Sequence, residues 1–185
     1  PMGFFSYGGL FAIQTLWAGP WMIRVSGYTP EKSAQGLFII YLCMLISFLV
    51  WGYFVPKFSK NVNDAVKLLK IGAPLNLFVL VLIIYLGPKA GSIHWALFIV
   101  SSIFLSLTQP AVGMAFSLSN AGKALTSFNL LIFIGAFFIQ WIIGLIIDAG
   151  IAFNLSEIDS FKLAMTFVLI TSLFSYIFFL RKNLK

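Results

Sequence analysis

Polar residues are sparse along this chain and recur at regular intervals inside long apolar runs. The clearest run covers 124–148, about 25 residues with Lys123 ahead of it and Asp148 closing it, a length that spans a bilayer as a helix. Within it Asn129, Ala136, Gln140, Gly144 and Asp148 follow at spacings of seven, four, four and four. That keeps them within about 100° of one helical face. The run reads as a membrane helix with one selective face.

The same pattern recurs along the whole chain and predicts six spans, at about 4–22, 34–55, 70–86, 93–116, 124–147 and 161–180. In the first, Tyr7, Gln14 and Trp21 are spaced by seven and Trp17 lies on the same side, against a background of Phe, Leu and Ile. In the fourth, Trp95, Ser102, Ser106, Gln109 and Gly113 form a stripe at seven, four, three and four. Two readings stand for such stripes: contact between helices through small polar residues, or the lining of a cavity. Trp21, near the water boundary, also suits an interfacial aromatic belt.

Breakers and caps mark the connections. Gly19-Pro20 and Pro110 predict bends, because proline removes a backbone donor and crowds the turn before it. Thr29-Pro30-Glu31 reads as a helix start, with a capping hydroxyl, proline at the first position and an acid in the first turn. Lys57, Lys60, Lys67 and Lys70, against the single acid Asp64, define the most basic loop. Gly87-Pro88-Lys89-Ala90-Gly91 reads as a tight turn, 119–123 as a small loop, and the stretch holding Glu157 and Asp159 as another.

Composition agrees with a membrane bundle. The chain has 185 residues, 61% hydrophobic and 9% charged, against about 25% charged in a soluble domain, and its mean hydropathy is +1.01. The net charge of +7 sits between apolar spans, which argues for membrane topology and against nucleic acid. Eight cations (Lys57, Lys60, Lys67, Lys70, Lys123, Arg181, Lys182 and Lys185) fall on one side of the six-span arrangement and four (Arg24, Lys32, Lys89 and Lys162) on the other. This bias predicts cytoplasmic termini. The chain opens on Pro1 without a charged leader or a small-residue cleavage site, and is expected to be part of a longer one.

Chemistry in the middle of the spans is limited to neutral groups. No carboxylate lies mid-span, His94 sits at a boundary and Cys43 is the only cysteine. A charge at the bilayer centre costs at least about 2.5 kcal/mol, so an ion or proton site would stand out. No catalytic group, metal site or cofactor is expected, and the protein does not read as an enzyme. An internal parallel points instead to a repeat: the second span closes with Trp51-Gly52, three residues and Pro56, the fifth with Gly144, three residues and Asp148. Two inverted three-helix repeats would leave such a trace.

Several motifs resemble the carboxyl-terminal six-helix half of bacterial major facilitator superfamily transporters, over nearly the whole chain. Leu16-Trp17-Ala18-Gly19-Pro20-Trp21 resembles the first helix of such halves. Gly52-Tyr53-Phe54-Val55-Pro56-Lys57-Phe58-Ser59-Lys60 is similar to the family's gating loop, with Pro56 where the family has an acid and Ser59 where it has a second glycine. Gly122-Lys123-Ala124, Asn129, Gly135, Gln140, Gly144 and Asp148 resemble the eleventh helix. The resemblance implies an all-α inner-membrane secondary transporter, here the half that follows an amino-terminal partner half, moving a small solute by alternating access. The first and fourth spans would line the cavity with Gln14, Trp17, Trp21, Ser102, Ser106 and Gln109. Gly52, Lys57, Lys60, Gly144 and Asp148 would serve gating and orientation, with Asn129 and Gln140 in helix packing. The rival expectation is a self-contained six-helix bundle acting as an oligomeric pore or an interaction subunit.

Overall fold

The computed structural model describes residues 1–182, and all its regular elements are helical. The first helix, α1 (2–24), is not a regular α-helix. Wide π turns at Met2–Tyr7 and Ile13–Trp17 alternate with α-helical Gly8–Ala12 and Ala18–Arg24. Pro20 has no N–H to return to the carbonyl of Leu16, and the second wide turn ends just ahead of it, at Trp17. The disturbance expected at Gly19-Pro20 takes this form, about one turn upstream.

Helix α2 (Pro30–Phe58) begins where the sequence places it, with the Thr29 hydroxyl accepting from the Lys32 N–H at 3.2 Å. Helix α3 (Val62–Leu86) begins well before the expected position. Asn61 accepts from the Asp64 N–H at 3.0 Å, while the Asp64 carboxylate accepts from the Lys60 N–H at 3.2 Å, a reciprocal cap. The expected basic loop therefore shrinks to 59–61, with Lys57 in the last turn of α2 and Lys67 and Lys70 on α3. A 3-10 turn, Gly87–Lys89, leads into α4 (Ser92–Met114). The middle of α4, Ser102–Leu107, is wound as a 3-10 helix.

Helix α5 (Leu118–Ala152) is 35 residues long, about 52 Å at 1.5 Å per residue, and absorbs the segment expected as a loop at 119–123. Helix α6 (Glu157–Lys182) takes Glu157 and Asp159 into its first turn, where Ser156 accepts from the Asp159 N–H at 3.0 Å and donates to its carboxylate at 2.6 Å. Helices α2 to α6 are each long and apolar enough to cross a membrane, and α1 is the sixth apolar helix. The outward faces are dominated by large apolar side chains, above all on α2, where Phe38, Leu45, Leu49 and Tyr53 are exposed. The chain is an all-helical, multi-pass membrane protein.

Neighbouring contacts fix the directions. Gly8 meets Gly135 and Ala136, and Gly144 meets Trp17, so α1 and α5 run parallel. Gly36 meets Ser92, and Trp51 stacks edge-on against Phe104, so α2 and α4 also run parallel. Tyr176 donates to the Lys70 carbonyl, and Gly87 lies against Lys162, which sets α3 and α6 antiparallel. The helices alternate in direction along the chain. One end of the bundle gathers Lys57, Lys60, Lys67, Lys70, Lys123, Arg181 and Lys182, and the other Arg24, Lys32, Lys89 and Lys162; Lys185 lies outside the described residues.

The core holds most of the polar groups of the interior in pairs. Trp21 and Trp95 are fully buried with ring centroids 5.7 Å apart, edge to face. The Trp21 indole donates to the Ala90 carbonyl at 3.2 Å, and the Ser26 hydroxyl donates to the same oxygen at 2.8 Å. Deep between α3 and α4, the Asn76 amide donates to the Phe98 carbonyl at 2.8 Å and to Ser101 at 3.0 Å. Such bonds tie helices together inside the bundle.

Candidate functional site

Side chains on α1, α2, α4 and α5 meet in two groups. In the first, the Gln140 amide donates to the Thr15 hydroxyl at 2.7 Å, and Thr15 in turn donates to the Phe11 carbonyl at 2.7 Å. The Trp17 indole donates to the Gln140 carbonyl at 3.3 Å. Beside them Gln14 donates to the Met44 sulfur at 2.9 Å, and the Tyr41 hydroxyl donates to the Gln14 carbonyl at 2.8 Å. A thioether is a weak acceptor, so the Gln14 carboxamide is the least satisfied amide of this group.

The second group joins α4 to α5, where Gln109 donates to the Asn129 side-chain carbonyl at 2.9 Å. This pair leaves one amide oxygen on Gln109 and one NH2 on Asn129 without a partner among the described residues, and Asn129 is exposed. A neutral polar molecule can bond to both kinds of group. The structure thus pairs a cavity candidate, Gln109, with a residue expected in helix packing, Asn129.

The remaining cavity candidates are placed differently. Ser102 and Ser106 donate to the carbonyls of Ile99 and Ile103, each at 2.6 Å, as Thr108 does to Leu105. These hydroxyls bond three residues back and accompany the tight 3-10 winding. Trp21 belongs to the core and not to a cavity wall, since no part of it is exposed. Its spacing of seven from Gln14 suggests a shared face only for a regular helix, and the π turn between them breaks that register.

The residues assigned to gating and orientation lie at opposite ends of the bundle. At the cation-rich end, the Lys57 ammonium lies 3.8 Å from the centroid of the Tyr53 ring and 5.5 Å from that of Phe54. Gly52 faces open space, and Lys60 joins the cap of α3 through its backbone. At the far end, Gly144 and Asp148 line a cleft of about 600 Å³ with Trp17, Arg24, Glu157 and Phe161. Arg24 and Glu157 form an ion pair there at 3.6 Å. Sequence reasoning left Glu157 in a loop and gave Phe161 no role beyond opening the last span. The Ser156-x-x-Asp159 cap, which starts α6 at Glu157, was the signal that could have placed both.

Set beside known proteins, the chain matches no family model, no curated protein and no solved structure.

Proposed function

We propose that this chain is the carboxyl-terminal half of a secondary transporter of the major facilitator type, moving a small polar solute across the bacterial inner membrane by alternating access. The observation that carries the reading is a crosswise exchange between the two three-helix groups. The first helix of each group packs parallel to the middle helix of the other, α1 on α5 and α4 on α2. The same two helices depart from regular geometry and run in opposite directions. Pro20 in a helix opening at Met2 and Pro110 in one opening at Ser92 lie equally far along. Inverted repeats place such interrupted helices around a solute site.

In this reading the solute passes two successive polar stations about 16 Å apart along α5, Gln14 on α1 and the Gln109–Asn129 pair between α4 and α5, with Trp17 as an aromatic wall and Ser102 and Ser106 shaping the helix behind. The exposed apolar faces of α2 and α5 take the lateral contact with the amino-terminal half, and the cation-rich end is cytoplasmic. Solute uptake by cells expressing the whole reading frame tests the assignment. Gln14→Ala and Gln109→Ala should each raise KM or reduce uptake, and unaltered uptake and affinity in both would remove the site. The exposure of α2 also suits a self-contained bundle that oligomerises. A stable homo-oligomer of the purified protein, cross-linked through cysteines at Leu45 or Leu49, would favour that rival.

A further inference from the structure

We infer that the cleft between α1, α5 and the start of α6 is a binding site for an organic cation, an amine carried on an apolar or aromatic body. The inference goes beyond the transport reading and does not depend on it. The cleft is open to its surroundings and offers about 600 Å³, inside the range of about 300–1,000 Å³ typical of small-molecule sites. Its floor is aromatic: Trp17 and Phe161 meet edge to face with centroids 6.1 Å apart. Indole is the best ring partner for a cation.

The charged groups around this floor are unequal. Arg24, Asp148 and Glu157 line the cleft, one positive and two negative. Glu157 is held by Arg24 at 3.6 Å, a contact between two well-exposed side chains and hence a weak one. The Asp148 carboxylate has neither an ion pair nor a hydrogen bond among the described residues. It is exposed at the mouth of the cleft and is the group left for a ligand, lining the same cleft as Trp17. Gly144, one turn before Asp148, brings the wall of α5 close to that ring, since a Cβ there would lie 3.6 Å from it. An unpaired carboxylate beside an aromatic floor selects a positively charged head with a flat or apolar body over a neutral or anionic one.

Radiolabelled phenethylamine, with the purified protein in nanodiscs of neutral lipid, provides the test by equilibrium dialysis at pH 7. Phenethylamine should bind saturably and its neutral analogue 2-phenylethanol at least about tenfold more weakly, a difference of about 1.4 kcal/mol. Asp148→Asn should weaken amine binding about tenfold and leave the thermal melt unchanged, because the side chain has no partner among the described residues. Arg24→Gln should tighten amine binding several-fold by releasing Glu157 as a second carboxylate, the opposite of what loss of a structural ion pair would do. Equal binding of the alcohol, unchanged binding in Asp148→Asn, or no gain in Arg24→Gln would each overturn the assignment.

Discussion

Gly8 and Gly135 bring two helices into backbone contact. A Cβ on Gly8 would lie 2.8 Å from the backbone of Gly135 and Ala136, and one on Gly135 would strike the Phe4 carbonyl. With lipid tails as apolar as leucine, helices in a membrane associate through close packing of this kind. Neither neighbour is a flexible side chain that can swing aside. Gly135→Leu should therefore destabilise the bundle by at least about 1–3 kcal/mol, read as a lower thermal midpoint in detergent. Gly122→Ala, where nothing lies nearby, is the control and should leave the midpoint unchanged or slightly raised.

Trp21 shows how the core is secured. Trp21→Phe keeps a ring against Trp95 but removes the bond to the Ala90 carbonyl, while Ser26 continues to donate there. With the void left by the smaller ring, the loss should be about 2 kcal/mol. Trp21→Ala opens a cavity and should cost about 3–5 kcal/mol. Thermal or denaturant unfolding of both variants measures the difference, and equal losses would count against the core assignment.

Gln109 and Asn129 offer a direct measure of the α4–α5 contact. A double-mutant cycle with Gln109→Ala and Asn129→Ala should return a coupling of about 0.6 kcal/mol, the usual value for a hydrogen bond between membrane helices. A coupling near zero would mean that the pair does not form in the bilayer.

Topology is open to labelling in a Cys43→Ser background. Gly27→Cys and Asn154→Cys, in connections at the Arg24 end, should react with an impermeant maleimide from the periplasmic side. Lys60→Cys and Ser117→Cys should react only after the membrane is permeabilised. The expectation rests on seven described cations at one end against four at the other, and the reverse pattern would overturn the proposed cytoplasmic side.

The apolar spans of α2 to α6 were legible because length and hydropathy alone nearly determine a membrane helix, and the Thr29 cap because its chemistry is local. Charge misled in two places. Lys57 to Lys70 and 119–123 read as loops, yet both extend helices beyond the apolar run, where water and headgroups tolerate lysine. Asn61-x-x-Asp64 was the overlooked start signal. The polar stripes were only partly legible, because a stripe drawn at regular helical spacing assumes regular helix. Tyr7, Gln14 and Trp21 share a spacing of seven, but Tyr7 and Trp21 are buried and Gln14 is half-exposed. The bonding of Ser102 and Ser106 to their own helix was equally out of reach, since a hydroxyl spacing does not say which acceptor it will find. Nor does a spacing reveal the Arg24–Glu157 pair, which depends on how the two ends of the chain pack.

The wide turn at Ile13–Trp17 has a mechanical consequence. A π turn stores one residue more than the same arc of α-helix, and one residue corresponds to a rotation of about 100°. Below that turn α1 is pinned to α5 through Gly8, and above it Trp21 is wedged against Trp95. Passing the spare residue along the helix would swivel the Gln14–Trp17 segment between these two anchors while both stay in place. Such a shift would make the backbone of α1 act as a slip coupling, and it would turn the residues that face Met44 on one side and the Arg24 cleft on the other.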